Sequence, residues 1–229
     1  MMTEMLKDGD GEFPVSVHEA AGTAPVVLFA VGSGGVPERH ATLLQALVES
    51  GCTVIAPHFA RLASSYPSEG ELTLRARRLS RALDLFAEPS ARISGVGHSI
   101  GAAVLVAMAG AQMWLGPERR ADIARERRLT RLALLAPPTG FFQAPDALDA
   151  VRIPMLAWAG SADTVTPPAQ SEWLAQALRE QLPITLHVTD GAGHFSFMDL
   201  APPHTVEPLP DKPAFLRQFS NEVCTFVLG

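Results

Sequence analysis

The order of segments along the chain predicts an α/β fold with a mostly parallel central sheet and helices on both of its faces. Three observations lead to this class: short apolar runs of strand length, longer segments with apolar residues at helical spacing between them, and glycine-rich turns where the runs end. Consecutive parallel strands are joined by crossovers that pack back on the sheet, so this alternation places helices on its two faces.

The first strand and helix show the pattern from which each element is predicted. Residues 25–31 (PVVLFAV) are continuously apolar, as in a strand buried on both faces, and the glycines that follow predict a turn. Residues 37–51 (PERHATLLQALVESG) combine helical spacing with an early proline and a final glycine. The further predicted strands are 52–58 (CTVIAPH), 91–97 (ARISGVG), 129–137 (LTRLALLAP), 153–160 (IPMLAWAG) and 184–190 (ITLHVTD), and the further predicted helices are 70–88 (GELTLRARRLSRALDLFAE), 99–113 (SIGAAVLVAMAGAQM) and 167–181 (PPAQSEWLAQALREQ).

An arginine-rich segment, residues 117–131 (PERRADIARERRLTR), interrupts the alternation. Its six arginines could form a surface for an acidic partner. Acidic residues stand three and four positions from several of the arginines, and this spacing favours the solvated face of a helix.

The composition limits the class of protein. With 229 residues, of which 47% are hydrophobic and 18% charged, we expect a single domain over residues 1–229. The formal net charge of −6 disfavours nucleic acid as a partner. No apolar run has the length of a membrane span, and the acidic start is unlike a secretory signal. We therefore expect a cytoplasmic protein without a membrane partner, and the oligomeric state stays open.

The cysteines and histidines are not spaced as ligands of a metal. Cys52 lies in a strand-like run and Cys224 in the last apolar segment, so both are interpreted as buried free thiols. Most of the seven histidines have no partner motif and are expected to be structural or solvated. We predict neither a metal nor a cofactor.

Ser99 lies between two glycines in the sequence GHSIG. The pattern follows a predicted strand and opens a predicted helix, which is the context in which GxSxG forms a sharp turn with an exposed nucleophilic serine. Side chains at Gly97 and Gly101 would collide there with neighbouring backbone. The helix would also direct free N–H groups and its dipole at an anion beside the serine. A plain connecting turn is the alternative, and the context favours the nucleophile.

A serine nucleophile needs a base and a group that orients the base. Asp163 ends a strand in WAGSADTVTPP, and His194 follows the last strand in TDGAGHFSF. The carboxyl ends of parallel strands meet at one edge of a sheet, so both residues are predicted to lie beside Ser99. The chain order Ser, Asp, His is also the order that this architecture uses. Asp199 is the second candidate for the acid.

The sequences GHSIG, GSADTVTPP and GAGHFSF, in this order, resemble the motifs of the α/β hydrolases. The resemblance extends from about residue 25 to the end, and it is greatest to the small serine esterases and dienelactone hydrolase-like proteins that have no large cap domain. Two departures are visible. True dienelactone hydrolases carry a cysteine nucleophile, and many relatives have His-Gly where this chain has Val31 and Gly32.

The first glycine turn, VGSGG, is predicted to supply half of an oxyanion hole. The donor is a backbone N–H group, which we assign to Ser33, with Gly34 as its neighbour if the register differs by one residue. Ile100, directly after the nucleophile, is predicted to give the second N–H group. The turn lacks both GxGxxG spacing and a P-loop lysine, so nucleotide binding is the weaker interpretation.

An apolar substrate pocket is predicted from aromatic residues near the catalytic loops. Some lie in segments 58–70 and 139–152, which are predicted to connect elements at the edge of the sheet that carries Ser99. Packing in the core is the alternative for each of them. The residues predicted to line the pocket are Gly34, Tyr66, His98, Phe141, Phe142, Phe195 and Phe197.

The predicted function is hydrolysis of carboxylic esters, with a small hydrophobic ester as the partner molecule. Ser99 would attack the carbonyl, His194 would move the proton and Asp163 would orient His194, giving an acyl-enzyme that water clears. A thioesterase or an amidase would use the same residues. A non-catalytic ligand-binding protein and a non-hydrolytic enzyme, such as a lyase or perhydrolase, are alternatives on the same fold.

Overall fold

A computed structural model of the chain describes residues 2–20, 24–64 and 66–229. The strands are β1 (Met2–Asp8), β2 (Gly11–His18), β3 (Val26–Ala30), β4 (Thr53–Pro57), β5 (Ile93–His98), β6 (Met113–Gly116), β7 (Arg119–Ala121), β8 (Leu129–Leu135), β9 (Met155–Gly160) and β10 (Ile184–Thr189). The α-helices are α1 (Ala41–Glu49), α2 (Glu69–Phe86), α3 (Ile100–Met108), α4 (Pro168–Leu178) and α5 (Lys212–Leu228), and two 3₁₀ turns cover Pro37–His40 and Gly140–Phe142.

The central sheet has eight strands in the order β1-β2-β4-β3-β5-β8-β9-β10. The six strands from β4 to β10 in this order are parallel, whereas β1 and β2 form an antiparallel hairpin that pairs with β4. The predicted fold class is therefore confirmed. The hairpin at residues 2–18 was not predicted, because the edge strand β1 is largely exposed and has no buried apolar run to mark it.

The interior of the protein consists of two apolar layers, one on each face of the sheet. In β3, Val27 and Phe29 face a layer formed with α1 and α5, while Val26 and Leu28 face a layer formed with α2, α3 and α4. All five residues of β3 are buried, as the continuous apolar run predicts for a strand covered on both faces. The helices therefore lie on both faces, as expected from the alternating pattern.

Helix α5 closes one face of the sheet with a group of aromatic side chains. Phe219 is fully buried, stacks on Phe215 at a centroid distance of 5.4 Å, and contacts Phe197 and Trp158 edge to face at 5.7 Å each. The cysteines follow the prediction: Cys224 of α5 is a buried free thiol, as is Cys52. The helix itself was not predicted from the last apolar segment of the sequence.

The helix predicted for the arginine-rich segment 117–131 is wrong. The segment contains the second strand of the β6–β7 hairpin, then irregular chain that ends in a turn at residues 127–128, then the start of β8. Gly116 and Glu118 have positive φ angles of 150° and 57°, which turn the chain back on itself and interrupt any helix. Arg128 pairs with Glu126, two residues away, at 2.6 Å, so the charges do pair, but within a turn and not on a helix face.

The predicted helix at 99–113 is real but shorter. α3 ends at Met108, and Gly110 has a φ of 119°, a conformation that ends helices and favours glycine. All nine residues of α3 are buried, which explains its uniformly apolar sequence. In the described ranges, no helix combines the length and the apolar character that crossing a membrane requires.

Replacing Phe219 by alanine is expected to lower the free energy of unfolding by about 3–5 kcal/mol, because the side chain leaves a cavity among three aromatic neighbours. Phe226→Ala is the matched control on the same helix. Phe226 is only partly buried, so its removal should cost about 1 kcal/mol. Urea unfolding at 25 °C measures both values, and equal losses would contradict the packing described for α5.

Candidate active site

The turn between β5 and α3 holds Ser99 in a conformation that side chains rarely adopt, with φ 53° and ψ −128°. Two glycines make this turn possible. A Cβ atom built on Gly101 would lie 2.1 Å from the carbonyl oxygen of Ala30, and one built on Gly97 would lie 2.8 Å from the amide nitrogen of Ala102. The chain around Ser99 is therefore packed against neighbouring backbone on both sides, and the serine is left at the apex of the turn.

Ser99, His194 and Asp163 form one continuous line of hydrogen bonds. Ser99 Oγ lies 3.0 Å from His194 Nε2, and His194 Nδ1 lies 2.8 Å from Asp163 Oδ2. The imidazole and the carboxylate are buried, with exposed fractions of 6% and 3%. With Nδ1 protonated and donating to the carboxylate, Nε2 is free to accept the hydroxyl proton of the serine.

Asp163 is fully hydrogen-bonded as a carboxylate. Its Oδ1 accepts from the backbone N–H groups of Val165 and Thr166, both at 2.8 Å, and its Oδ2 lies 2.8 Å from the hydroxyl of Thr166. Burial by itself would raise the pKa of Asp163, but the hydrogen bonds from His194 and Thr166 outweigh it and hold the pKa below its ordinary value. The acid is therefore ionised at neutral pH.

The sheet brings these three residues together from distant parts of the sequence. Ser99 directly follows β5, Asp163 follows β9 and His194 lies in the loop after β10, so all three stand at the carboxyl edge of parallel strands, where the sequence analysis placed them. Asp199, the second candidate for the acid, lies elsewhere. Its carboxylate accepts from the backbone N–H of Thr42 at 3.0 Å, near the start of α1.

The β3 turn, which we define as residues 31–35, lies directly against Ser99. A Cβ atom built on Gly32 would be 3.5 Å from the Cβ of Ser99, so the chain passes the serine at close range. Ser33 is the next residue and is exposed at the surface of the turn. On the other side of the serine, Ile100 is the first residue of α3, and a first-turn N–H group has no acceptor within its helix.

A column of three histidine rings lies behind Ser99. The rings of His40 and His98 are 5.2 Å apart and those of His98 and His194 are 4.9 Å apart. His98 Nε2 donates to the backbone oxygen of His194 at 3.0 Å, and His40 Nδ1 donates to the backbone oxygen of Phe197 at 3.1 Å. Burial lowers the pKa of His40 to about 4 and lowers that of His98 well below its ordinary value, so both rings are neutral.

The candidate site opens into a cleft of about 500 Å³. Among the residues predicted to line a pocket, Gly34, Tyr66, Phe141 and Phe195 line this cleft. His98 also belongs to its wall, although only 2% of the residue is exposed, so it supports His194 from below. In the described ranges, no helical insertion separates β8 from β9 except a single 3₁₀ turn, which agrees with the expected absence of a large cap.

The prediction that Phe142 and Phe197 line the substrate pocket is wrong. Phe142 is 2% exposed and packs in the core layer with α3, and Phe197 is fully buried against the aromatic group of α5. Each is close in sequence to a phenylalanine that does line the cleft, Phe141 or Phe195. Adjacent and alternate side chains point in different directions in these loops, so proximity along the sequence could not separate cleft from core.

Three arginines near the site were not predicted. Arg39 and Arg61 line the cleft, and the stem of Arg61 packs on Gly34, with Cγ 3.1 Å from the position of a glycine Cβ. Arg75 of α2 is 3% exposed and lies below the β3 turn. A cluster of arginines in loops and on an amphipathic helix gives no sequence signal for this placement, because arginine is usually exposed.

Both cysteine thiols are free and buried. Burial raises the pKa of Cys52 to about 11 and also raises that of Cys224, so both thiols stay protonated. In the parts of the chain that the structure describes, no three His, Cys, Asp or Glu side chains are grouped as a metal ion would require.

Comparisons with solved structures show which class of fold this is. A serine hydrolase homologue from Coxiella burnetii matches with a TM-score of 0.64 at 17% identity, over 97% of this chain and 96% of that one. The propionate-bound esterase Est2 from Thermogutta terrifontis matches with a TM-score of 0.68 at 17% identity, over 99% of this chain and 93% of that one. The carboxylesterase Cest-2923 from Lactobacillus plantarum matches with a TM-score of 0.64 at 15% identity, over 98% of this chain and 96% of that one.

A structure of the Thermogutta esterase phosphorylated by paraoxon is similar to the same degree, with a TM-score of 0.68 at 16% identity over 98% of this chain and 94% of that one. No protein-family profile and no curated protein matches the sequence. The chain has the α/β hydrolase fold. At identities of 15–17%, the likeness establishes this fold and nothing further about the chain.

Gly101→Ala is expected to lower the free energy of unfolding by about 3 kcal/mol or more, because the new methyl group meets the backbone of β3, which cannot move away. Gly70→Ala is the matched control. A Cβ at Gly70, in the first turn of α2, meets no atom within 4 Å, so alanine should raise the free energy of unfolding by about 0.5–1 kcal/mol. Urea unfolding of both variants tests the contact, and a Gly101→Ala protein as stable as the wild type would contradict it.

The buried histidine column is expected to make the fold acid-sensitive. The pKa of His40 is about 4 in the folded chain against an ordinary value of 6.5, so between these values the unfolded chain binds the extra proton. The free energy of unfolding therefore falls as the pH falls from 6.5 towards 4, by at most about 1.4 kcal/mol per pH unit from this group.

His40→Gln tests this dependence, since a glutamine amide can still donate to the backbone oxygen of Phe197. Urea unfolding at pH 7, 6 and 5 should show a shallower decline for the variant than for the wild type. Identical slopes would show that folding does not lower the pKa of His40.

Proposed function

We propose that this protein is a serine hydrolase that cleaves carboxylic esters through an acyl-enzyme. The observation that carries the proposal is the hydrogen-bonded line from Ser99 Oγ through His194 to the buried Asp163, at 3.0 and 2.8 Å, opening into the cleft. Acyl transfer by serine needs a nucleophile in contact with a base and a base in contact with an orienting acid. The similar folds named as esterases support the same assignment.

In the first half of the reaction, Ser99 Oγ attacks the carbonyl carbon of the ester while its proton passes to His194 Nε2. The imidazolium that forms is stabilised by the ionised Asp163, whose pKa is kept low by its hydrogen bonds. The carbonyl oxygen becomes an oxyanion, and collapse of the tetrahedral intermediate breaks the bond to the alcohol oxygen. His194 returns the proton to that oxygen, so the alcohol leaves neutral.

Two backbone N–H groups are proposed to hold the oxyanion, those of Ser33 and Ile100. The close passage of the β3 turn beside Ser99 and the position of Ile100 at the start of α3 support this assignment. The free N–H groups and the positive end of the α3 dipole also face a charge that develops there. Loss of one such donor typically costs about 3–4 kcal/mol of transition-state stabilisation.

In the second half, water takes the place of the alcohol. His194 removes a proton from the water, its oxygen attacks the acyl carbon, and the bond to Ser99 Oγ breaks as the serine recovers its proton. The products are one carboxylic acid and one alcohol for each water consumed. A thioester or an amide would pass through the same intermediates with a thiol or an amine as the leaving group.

A small, mainly apolar ester is the substrate class proposed for the cleft, because Tyr66, Phe141 and Phe195 line it. The cleft also carries two cationic side chains, Arg39 and Arg61, which the sequence analysis did not anticipate. They would accommodate an ester that bears a carboxylate away from the reacting carbonyl. The structure of the Thermogutta esterase of similar fold has propionate bound.

The nucleophile is tested with a fluorophosphonate probe and p-nitrophenyl butyrate. Wild type should be labelled and should release p-nitrophenol, and Ser99→Ala should lose labelling and at least about 10⁴-fold in kcat, since removal of the nucleophile leaves only the remaining site. Ser33→Ala is the matched control, because it removes a serine hydroxyl within the same cleft and keeps the backbone N–H group. Its kcat should stay within about threefold of wild type. Equal labelling of wild type and Ser99→Ala would end the proposal.

The substrate class is tested with p-nitrophenyl esters of two to twelve carbons together with the p-nitrophenyl monoester of succinic acid. An apolar cleft predicts the highest kcat/KM for short neutral acyl chains. If the succinyl ester is preferred over the butyryl ester, and Arg61→Gln abolishes the preference, then the arginines select a carboxylate-bearing substrate.

A further inference from the structure

Arg75 is a buried cation whose hydrogen bonds go to backbone oxygens. It lies in α2 and is 3% exposed. Its Nη1 donates to the carbonyl oxygens of Val31 and Gly32 at 3.3 and 3.1 Å, and its Nη2 donates to those of Ser33 and Ala60 at 3.1 and 3.2 Å. One guanidinium therefore binds three successive carbonyls of the β3 turn and one from the loop after β4.

The charge of Arg75 is hydrogen-bonded to these dipoles, and the carboxylate of Glu71, four residues earlier in α2, attracts it from beyond ion-pair distance. Among the described residues, the ion pairs of the chain do not include Arg75. The guanidinium also lies over the ring of Phe59, 4.7 Å from its centroid. Burial lowers the pKa of Arg75 to about 10, so the group is still a cation at neutral pH. A buried charge without a counter-ion in direct contact is costly, which makes the arrangement informative.

The bound carbonyls belong to the peptide groups whose N–H groups matter for the proposed reaction. The oxygen of Gly32 and the N–H of Ser33 are two ends of one peptide group, and the oxygen of Ser33 and the N–H of Gly34 are two ends of the next. A cation that hydrogen-bonds the oxygen of a peptide group draws electron density from its nitrogen, so the N–H becomes a stronger donor. Arg75 therefore acts on Ser33 and Gly34 alike.

Other contacts hold the same turn in place without adding a charge. The N–H of Leu62 donates to the oxygen of Ser33 at 2.8 Å, and this bond joins the β3 turn to the loop after β4. The bond from Arg75 to Ala60 joins the same two segments. The position of the turn thus depends on several bonds, whereas the positive charge beneath its peptide groups comes from Arg75.

We propose that Arg75 is a positioning residue of the oxyanion hole: its guanidinium fixes the β3 turn from below and polarises the peptide groups of Ser33 and Gly34. Stabilisation of the tetrahedral oxyanion would then depend on a side chain that never touches the substrate. This inference rests on the proposed function, because it assumes that an anion forms beside Ser99.

Three variants separate this role from a structural one. Arg75→Met removes the charge and all four bonds, and Arg75→Lys keeps a charge that cannot reach four carbonyls. Arg78→Met is the matched control on the same helix. Arg78 is 9% exposed, pairs with Asp8 at 2.8 Å and lies over the ring of Phe13, away from the β3 turn.

Kinetics and inhibition by a trifluoromethyl ketone give the first readout. The ketone forms an anionic adduct with a serine nucleophile and so reports on the oxyanion hole. We expect Arg75→Met to lower kcat by about 10–100-fold, which is less than the effect of losing a whole N–H donor. The affinity for the ketone should fall by a similar factor, whereas KM should stay within about threefold of the wild-type value. Arg75→Lys should fall between this variant and the wild type. Arg78→Met should keep kcat within about twofold, although it lowers the urea midpoint.

Backbone NMR gives a second readout that needs no substrate. The amide protons of Ser33 and Gly34 should move upfield in Arg75→Met and Arg75→Lys but not in Arg78→Met, because a less polarised N–H group is more shielded. Equal kcat and ketone affinity in the Arg75 and Arg78 variants, or unchanged amide shifts, would overturn the inference. If Arg75→Met does not fold, the kinetic and NMR measurements are both made on Arg75→Lys.

The two proposals fail in different ways. A wild-type protein that takes no fluorophosphonate on Ser99 refutes the proposed hydrolase, and the amide shifts still decide whether Arg75 polarises the turn. A wild type that is labelled, together with Arg75 variants that match Arg78→Met in kcat and ketone affinity, leaves the hydrolase standing and refutes the role of Arg75.

Discussion

The close approach of the start of α3 to the end of β3 is the constraint on which the candidate site depends. A glycine at position 101 is needed because a Cβ atom would overlap the backbone oxygen of Ala30. The helix can therefore begin directly beside the central strand, and Ser99 is forced into a strained conformation at its tip. The same approach brings the β3 turn beside Ser99, directly before Ile100, the first residue of α3. The position of Ser99 and its surroundings are thus consequences of one backbone contact.

Buried charge around this contact is stabilised by the backbone on both sides. Asp163 is held as an anion by the N–H groups of Val165 and Thr166, and Arg75 is held as a cation by carbonyl oxygens of the β3 turn. Peptide dipoles have fixed directions in a folded chain, so they need no rearrangement when a charge forms or moves nearby. The neutral rings of His40 and His98 fill the space between without adding charge.

The sequence was sufficient for the fold class and for the placement of Ser99, Asp163 and His194, because each lies in a local pattern at the end of a strand. It could not show which of two neighbouring aromatic residues lines the cleft and which is buried in the core, since this depends on the direction in which each side chain leaves its loop. It also could not identify Arg75. On an amphipathic helix an arginine is normally solvated, and only the folded chain shows four carbonyl oxygens converging on it. The arginine-rich segment failed as a helix because Gly116 and Glu118 turn the chain.

The hydrogen bond between Ser99 and His194 joins residues 95 positions apart, and the bond from His194 to Asp163 spans 31 positions. No short stretch of the polypeptide can make these contacts alone, since β5, β9 and β10, together with β8 between β5 and β9, must first be paired in register. A nascent or partly folded chain therefore holds Ser99 apart from His194. Under the proposed function such a chain would be inert towards esters, and recovery of probe labelling during refolding would follow formation of the native topology itself.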